Sequence, residues 1–343
     1  MKALTSAKPP TIYEVARRAG VSIATVSRSM RDPELVADAT RARVQAAVDE
    51  LNFRPSRLGR SLAEGRHAAN GIVFPDLVGP YYAEVVLAYE EAASELGRSV
   101  LILATHGRRD AAEAVLELAA RVDGMAIMGN TVDDGVVRAI AATGLPLVLL
   151  ARPPVKGVDT VRTRNEETAA ALAGHLAAHG HERIAFLGDP SASSDVAGRL
   201  AGLAEGLRAA GLPAPEVVPA SLDMAGGEAA ARGLLARRVR PTAIVCGNDE
   251  TALGAHLAAE SAGLCVPADL VLTGWDDIFA ARYAGLTTVH QPMRELGATA
   301  ARWLHERIAD RQQDPGRPVR RRVLPTRLVI RRSCGTHSPE VES

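Results

Sequence analysis

The chain has 343 residues, 47% of them hydrophobic, with 40 Lys/Arg against 40 Asp/Glu and three cysteines. That length predicts two or three domains with ample cores, and three scattered cysteines without CxxC spacing exclude a disulfide framework and fit a reducing cytoplasm. No 18-residue apolar run and no apolar stretch near Met1 occur, so neither a membrane span nor a secretory signal is expected. Zero net charge hides an asymmetry. Residues 1–66 carry 12 Lys/Arg against 7 Asp/Glu, and the remainder 28 against 33. A basic head on an acidic body points the head toward a polyanion.

Thr11-Ile12-Tyr13-Glu14 reads as a capping box, and Ile12, Val15 and Ala16 continue it as a short helix. Gly20 supplies a left-handed break. Ser22 is placed to cap a second helix running to about Met30, with Val26 and Met30 on its inner face and Ala24 and Arg28 opposite. Thr40 is expected to cap a third helix, whose core stripe is Val44, Val48 and Leu51. Helix, tight turn, helix is the helix-turn-helix arrangement, whose second helix enters the DNA major groove. Ser22, Thr25 and Ser27 suit phosphates, small Ala24 permits close approach, Ile23 suits a thymine methyl, and Arg28 can fork onto guanine.

The stretch TIYEVARRAGVSIATVSRSM, followed by FRPSRLGRSLAEGR, resembles the DNA-binding region of the LacI/GalR family of bacterial transcription regulators. The resemblance implies that Ile23, Ala24 and Arg28 face bases. It also implies a hinge helix from Pro55 to Leu62, with Arg57 and Arg60 at the DNA and Leu62 wedged into the minor groove. Two departures stand out. Arg31-Asp32 replaces the common Asn-Gly at the end of the second helix. Gly59 replaces the usual hinge alanine, at a helix cost of about 1 kcal/mol. A Gly59→Ala variant is therefore expected to bind operator DNA more tightly, which a titration of both proteins on one operator would measure.

From residue 70 on, short apolar runs alternate with Ala/Leu/Glu/Arg-rich helical stretches. The runs are GIVF (71–74), VLILAT (100–105), GMAIMG (124–129), LPLVLL (145–150), RIAFLG (183–188), TAIVCG (242–247) and LVLTGW (270–275). They predict buried parallel strands in a doubly wound α/β architecture, with ligands at the C-terminal strand ends. The segments FPDLVGPYYAEVV, GHERIAFLG, GRLAGL, CGNDETALGA, LTGWDDIFAARYAGLTTVHQP and LPTRLVIRRSCG resemble the periplasmic-binding-protein-like effector domain of the same family. That implies two doubly wound parallel-sheet lobes behind an all-α helix-turn-helix domain, joined by three crossovers near residues 164, 292 and 324. The expected domains are 9–54 for DNA binding, 55–67 for hinge and linker, and 68–333 for effector binding and dimerisation. Within the last, lobe 1 spans about 68–163 and 293–323, and lobe 2 about 165–291 and 324–333. Residues 334–343 read as a disordered tail.

Carried over residue by residue, the effector candidates are Tyr81, Tyr82, Arg152, Asn165, Arg199, Asn248, Asp249, Trp275 and Asp276. Rings that stack on a sugar face, with Arg and carboxylates for its hydroxyls, suit a hydroxyl-rich ligand. Tyr82 and Trp275 also fit a core role, and Asp276-Asp277 a turn. Ala151-Arg152 stands where sugar-responsive relatives often have Asp-Arg, and Arg164-Asn165 where Asp-Asn is common. Fewer acids and one more cation shift the expectation toward an anionic or less hydroxylated effector.

His175, His179 and His181 lie close together, yet no cysteine or carboxylate completes a metal set. Gly198, Gly202 and Gly206 read as a packing ladder. With no nucleophile elbow, P-loop or dinucleotide fingerprint, neither a catalytic site nor a cofactor is expected. A sugar-binding protein of transport and a sugar-active enzyme are the competing classes. The first lacks a secretion signal and leaves residues 11–62 unexplained; the second lacks a nucleophile or metal set. The reading is a cytoplasmic regulator, in the family's commoner mode a repressor. It binds a pseudo-palindromic operator as a homodimer under the control of a small-molecule effector such as a sugar or sugar derivative.

Overall fold

The computed structural model describes residues 10–54, 67–76, 79–311 and 317–335. The expected hinge, with Arg57, Gly59, Arg60 and Leu62, lies outside these residues, as does the chain from 336 on. The fold divides into two units, one ending at His67 and one beginning at Ala68.

The first unit holds α1 (Ile12–Ala19), α2 (Ile23–Arg31), a 3-10 turn (Pro33–Leu35) and α3 (Asp38–Glu50). At the start of α1 the Glu14 carboxylate accepts from the Thr11 backbone N–H at 2.7 Å. Gly20 ends the helix at φ +65°. Val15, Val26, Val44, Ala47 and Phe53 form the core. Two expectations fail here. Met30 is 36% exposed, and the inner position beside Val26 belongs to small, buried Ser29. Thr40 does not cap α3, which begins two residues earlier, because the 3-10 turn delivers the chain to Ala37 already in position to start it.

In the second unit a six-stranded sheet has the order β11-β5-β4-β3-β1-β2. Its strands are β1 (Ala69–Phe74), β2 (Ser99–Ala104), β3 (Gly124–Met128), β4 (Leu147–Leu150), β5 (Asp159–Thr163) and β11 (Arg321–Leu324), all paired in parallel. Alternation along β1 sends Ile72 and Phe74 to one face and Val73 to the other. On the first face lie α4 (Pro80–Glu95) and α12 (Met293–Asp310); on the second, α5 (Ala111–Ala119) and α6 (Asp134–Ala142). This is lobe 1.

Lobe 2 holds β7 (Glu216–Val218), β6 (Ile184–Leu187), β8 (Ala243–Cys246) and β9 (Val271–Thr273), parallel in that spatial order. The pair α7 (Glu166–Ala178) and α8 (Ser194–Ala209) covers one face; α9 (Met224–Leu235), α10 (Asp249–Ser261) and α11 (Phe279–Ala284) cover the other. A small antiparallel pair, β10 (Thr288–His290) with β12 (Arg327–Val329), adjoins this sheet. The chain passes between lobes after β5, after β10 and after β11. The first and third passages are laced together. Arg164 N donates to Leu324 O at 2.9 Å, and Thr326 Oγ1 donates to Arg164 O at 2.6 Å.

The glycine ladder is a packing device. A Cβ on Gly202 would lie 2.1 Å from the Glu166 carbonyl oxygen, and one on Gly206 2.6 Å from that of Ala170. These absences let α7 and α8 touch backbone to backbone.

Three further expectations need correction. β2 is not a buried strand but a sheet edge, with Leu101 and Ile102 exposed. Cys334, assigned to the tail, is buried in a 3-10 turn (Arg332–Cys334), its sulfur 2.8 Å from Thr287 Oγ1. And β5, β7, β10, β11 and β12 form without a fully apolar run. All three cysteines are free. Among the described residues no group of three His, Cys, Asp or Glu could hold a metal ion. His175 and His179 stack ring to ring at 4.5 Å, and His181 turns instead to Thr242.

Candidate functional sites

On α2 the sequence candidates divide into two groups. Ser22 Oγ accepts from Thr25 N at 3.1 Å and meets Thr25 Oγ1 at 2.9 Å, so both side chains serve the helix start. Ser27 Oγ accepts from Arg31 Nη2 at 3.0 Å, which gives the unusual Arg31 a role at the helix exit. Ile23, Ala24 and Arg28 remain exposed. The apolar inner side of α2 is held by the core, and this outer strip of small and basic side chains is open to a partner.

In the second unit, Tyr81 and Tyr82 open α4 just after β1, while Arg199 lies in α8 just after β6. Trp275 and Asp276 follow β9 directly. All stand at C-terminal strand ends, where parallel sheets bind ligands. Arg199 is the hub. Its Nη1 donates to Gly247 O, and its Nε to Asn165 Oδ1 at 3.4 Å. Its Nη2 lies 3.8 Å from Asp276 Oδ1, and its guanidinium carbon 4.9 Å from the centre of the Trp275 ring. Tyr81 and Tyr82 meet edge to face at 5.3 Å. Lobe 1 thus presents two phenols to an arginine-carboxylate-indole cluster of lobe 2.

Sequence reasoning missed Asp195. Its carboxylate accepts from Asn165 Nδ2 at 2.9 Å. Burial raises its pKa, against the pull of Arg199. Asp276 is pushed up to about 7, chiefly by burial, with Arg199 opposing. Burial raises Tyr81 as well, and the charges of Asp195 and Asp276 add to the shift. Tyr81 Oη and Trp275 Nε1 are buried donors with no partner among the described residues. The site therefore holds two carboxylates able to accept, two donors waiting for an acceptor, and aromatic faces beside them. A small molecule with several hydroxyls satisfies all of these at once.

The other candidates stand apart. Asn248 caps α10, its Oδ1 accepting from Thr251 N at 2.9 Å, and its Nδ2 donates to Leu222 O. Asp249 accepts from Ile278 N and the Thr288 hydroxyl. Arg152 turns to Val132 O at 3.1 Å and Asp134 Oδ1 at 2.6 Å, both in lobe 1. Arg164 is exposed and pairs with Glu167. The added cation Arg164 and the neighbouring candidate Arg152 are thus each paired with an acid, and Arg199 lies beside the buried Asp195 and Asp276. This arrangement does not favour an anionic effector. The Asp276-Asp277 pair is neither a plain turn nor a helix start: both have positive φ, and Asp277 is held by Arg331 and His290. Cavities of about 370 Å³ and 480 Å³ lie at the opposite, N-terminal strand ends, lined by arginines paired with acids or exposed. They hold none of the cluster described above.

Residues 11–56 match the model of bacterial regulatory proteins of the lacI family, and residues 173–334 that of a periplasmic binding protein-like domain. The HTH-type transcriptional repressor PurR of Proteus mirabilis (strain HI4320) is 34% identical over 333 residues, covering 94% of this chain and 96% of its own. Among solved structures, the lac repressor dimer bound to operator and the anti-inducer ONPF aligns with a TM-score of 0.83 at 31% identity, covering 96% of this chain and 100% of its own. The transcriptional regulator CelR in complex with cellobiose aligns at 0.70 and 29% identity, covering 94% and 99%.

Proposed function

Because the chain belongs to the lacI family of bacterial regulatory proteins, we propose that its two-lobed unit takes an uncharged, hydroxyl-rich effector of sugar type. The protein is a DNA-binding transcriptional repressor regulated by a small molecule, not an enzyme. The observation that carries the effector class is the Arg199 cluster. Its guanidinium is occupied by Gly247, Asn165 and Asp276, so little is left for a ligand phosphate, while Asp195 and Asp276 repel one. Hydroxyls donate to those carboxylates and accept from Tyr81 and Trp275. The solved relative CelR holds cellobiose, and a LacI family regulator from Enterococcus faecium, 26% identical with a TM-score of 0.71, holds ribose.

The rest of the reading follows the same lines. Ile23, Ala24 and Arg28 meet base edges of each half-site, Ser22, Thr25 and Ser27 lie near phosphates, and Arg57, Arg60 and Leu62 act at the operator centre. Two copies place their α2 helices in successive major grooves of a pseudo-palindrome. The two edges of the lobe 1 sheet support a homodimer. β11 begins with exposed Arg321 and Arg322, directly after Arg320, charges that disfavour strand-to-strand association. β2 exposes Leu101 and Ile102 instead, with Leu87 of α4 and Leu116 of α5 also exposed, as suits a face covered by a second copy. Among the described residues no helix is long and apolar enough to cross a membrane, and operator binding puts the protein in the cytoplasm.

A thermal-shift panel of cellobiose, D-ribose, D-glucose, a sugar phosphate and hypoxanthine tests the effector class. Stabilisation by a neutral sugar, lost in an Asp276→Leu variant, is expected. Stabilisation by the sugar phosphate or the purine alone would overturn it.

A further inference from the structure

Two of the three passages between the lobes meet at one side chain. Gln291, 1% exposed, lies between β10 and α12, where the chain returns to lobe 1. Its Oε1 accepts from Thr163 Oγ1 at 2.8 Å, at the end of β5, where the chain first leaves lobe 1. Its Nε2 donates to Asp276 Oδ1 at 2.6 Å. The amide turns its N–H side to Asp276, the arrangement an ionised carboxylate requires, and a hydroxyl serves either role.

The contacts continue into a ring. Asp276 faces Arg199, and Arg199 donates to Asn165, two residues beyond Thr163. Thr163, Gln291, Asp276, Arg199 and Asn165 therefore form a closed circuit through the first passage, the second passage and the effector cluster. The third passage joins through Arg164 and Thr326.

We propose that Gln291 is a positioning residue through which the state of the Asp276 carboxylate sets the angle between the lobes. The proposal rests on the Arg199 cluster being the effector site. A ligand hydroxyl donating to Asp276 draws the carboxylate toward itself. Gln291 follows or lets go, and Thr163 at the other passage moves with it. A shift shared by two neighbouring passages is a rotation of one lobe against the other. An effector that contacted Arg199 and Trp275 but not Asp276 would bind without signalling, because it would not distinguish the two lobe angles.

The experiment needs no effector at its first step. Nitroxide labels on exposed Cys265 in lobe 2 and on an Arg109→Cys variant in lobe 1 report the lobe-to-lobe distance by pulsed electron resonance in the full-length protein, since Cys246 and Cys334 are buried. Gln291→Met keeps the length of the side chain and loses both hydrogen bonds. Thr163→Val removes only the hydroxyl that holds Gln291, and it decides the question if Gln291→Met does not fold. A broadened or shifted distance distribution in these variants is expected, and distributions identical to the parent's overturn the proposal.

With cellobiose or D-ribose as probe, whichever stabilises the unsubstituted protein, the variants should bind it within about threefold of normal. The probe's effect on operator affinity should fall toward none. A preserved operator response would also overturn the role of Gln291. If neither sugar stabilises the unsubstituted protein, the effector reading fails, and the distance measurement still decides Gln291.

Discussion

Asp249 accepts the Thr288 hydroxyl at 2.6 Å with one carboxylate oxygen and the Ile278 backbone N–H at 2.9 Å with the other. Both oxygens are thereby committed to joining the start of α10 to β10 and to the loop before α11. Arg199, by contrast, sits among groups whose hydrogen-bonding capacity is incomplete. Two buried residues of the same unit, each suggested by the sequence as an effector contact, thus separate into a clasp of the fold and the centre of the site.

Arg199→Met should lower effector affinity by about 10- to 100-fold, because Asn165 and Asp276 lose the guanidinium that holds them in place for the ligand. It should also destabilise the second unit by about 3–5 kcal/mol, because Asp276 loses its buried counter-charge. Isothermal titration with a stabilising sugar and urea denaturation measure the two effects separately. Asp249→Asn should lower stability while leaving affinity in any folded protein nearly unchanged.

Asp276 gives a pH dependence with a defined sign. Its pKa rises from the ordinary aspartate value of 3.8 to about 7 on folding. Between those values the unfolded chain has lost the proton and the folded chain retains it, so this group makes stability fall as pH rises through the window. Asp195 and Asp249 shift in the same direction through burial. Melting temperatures of the effector-free protein should therefore decline from pH 5 to pH 8. An Asp276→Asn variant should show a flatter profile over the same range, and an equally steep one would mean that Asp276 is not the group responsible.

Ile102→Asp tests the uncovered edge. Placed on β2, where Ile102 is 48% exposed, a carboxylate should shift the dimer toward monomer in sedimentation velocity runs. Arg321→Ala on the opposite edge of the same sheet should leave the association unchanged. A monomeric parent protein would remove the basis of the comparison and of the homodimer itself.

Gly202→Ala should destabilise the second unit by about 1–3 kcal/mol, because the new methyl meets the Glu166 carbonyl and the two helices must separate. Gly198→Ala, four residues earlier, meets the flexible end of the Glu166 side chain at 3.2 Å and Asn165 Cβ at an ordinary 3.4 Å, and should be tolerated. Thermal melts of the two variants side by side check the difference.

Much of the architecture is legible in the sequence because its signals are local. Thr11 with Glu14 and Ser22 with Thr25 act within one helical turn, and the apolar runs that become β1, β3, β4, β6, β8 and β9 are buried on both sides. β5 was hidden because its Asp and Arg are satisfied far along the chain: Asp159 is held by Arg307 and Arg320. Asp195 looks like an ordinary acidic residue in the first turn of a helix, and only the fold brings Tyr81 near it. Arg152 misled for the opposite reason. Its partner Asp134 lies 18 positions away, so a cation that looked available is in use.

The three laced passages mean that neither lobe is a continuous stretch of chain, and this sets an order on the ribosome. The four strands of lobe 2 are all synthesised before α12, whose Leu296, Ala300 and Leu304 cover Ile72 and Phe74 of lobe 1. The lobe begun first is thus the one completed late, and one apolar face of its sheet waits with only α4 over it while its neighbour takes shape. A premature stop just before Met293 would spare most of lobe 2 and leave lobe 1 without the α12 half of its cover. The nascent chain is therefore most exposed to aggregation between the synthesis of β4 and the arrival of α12.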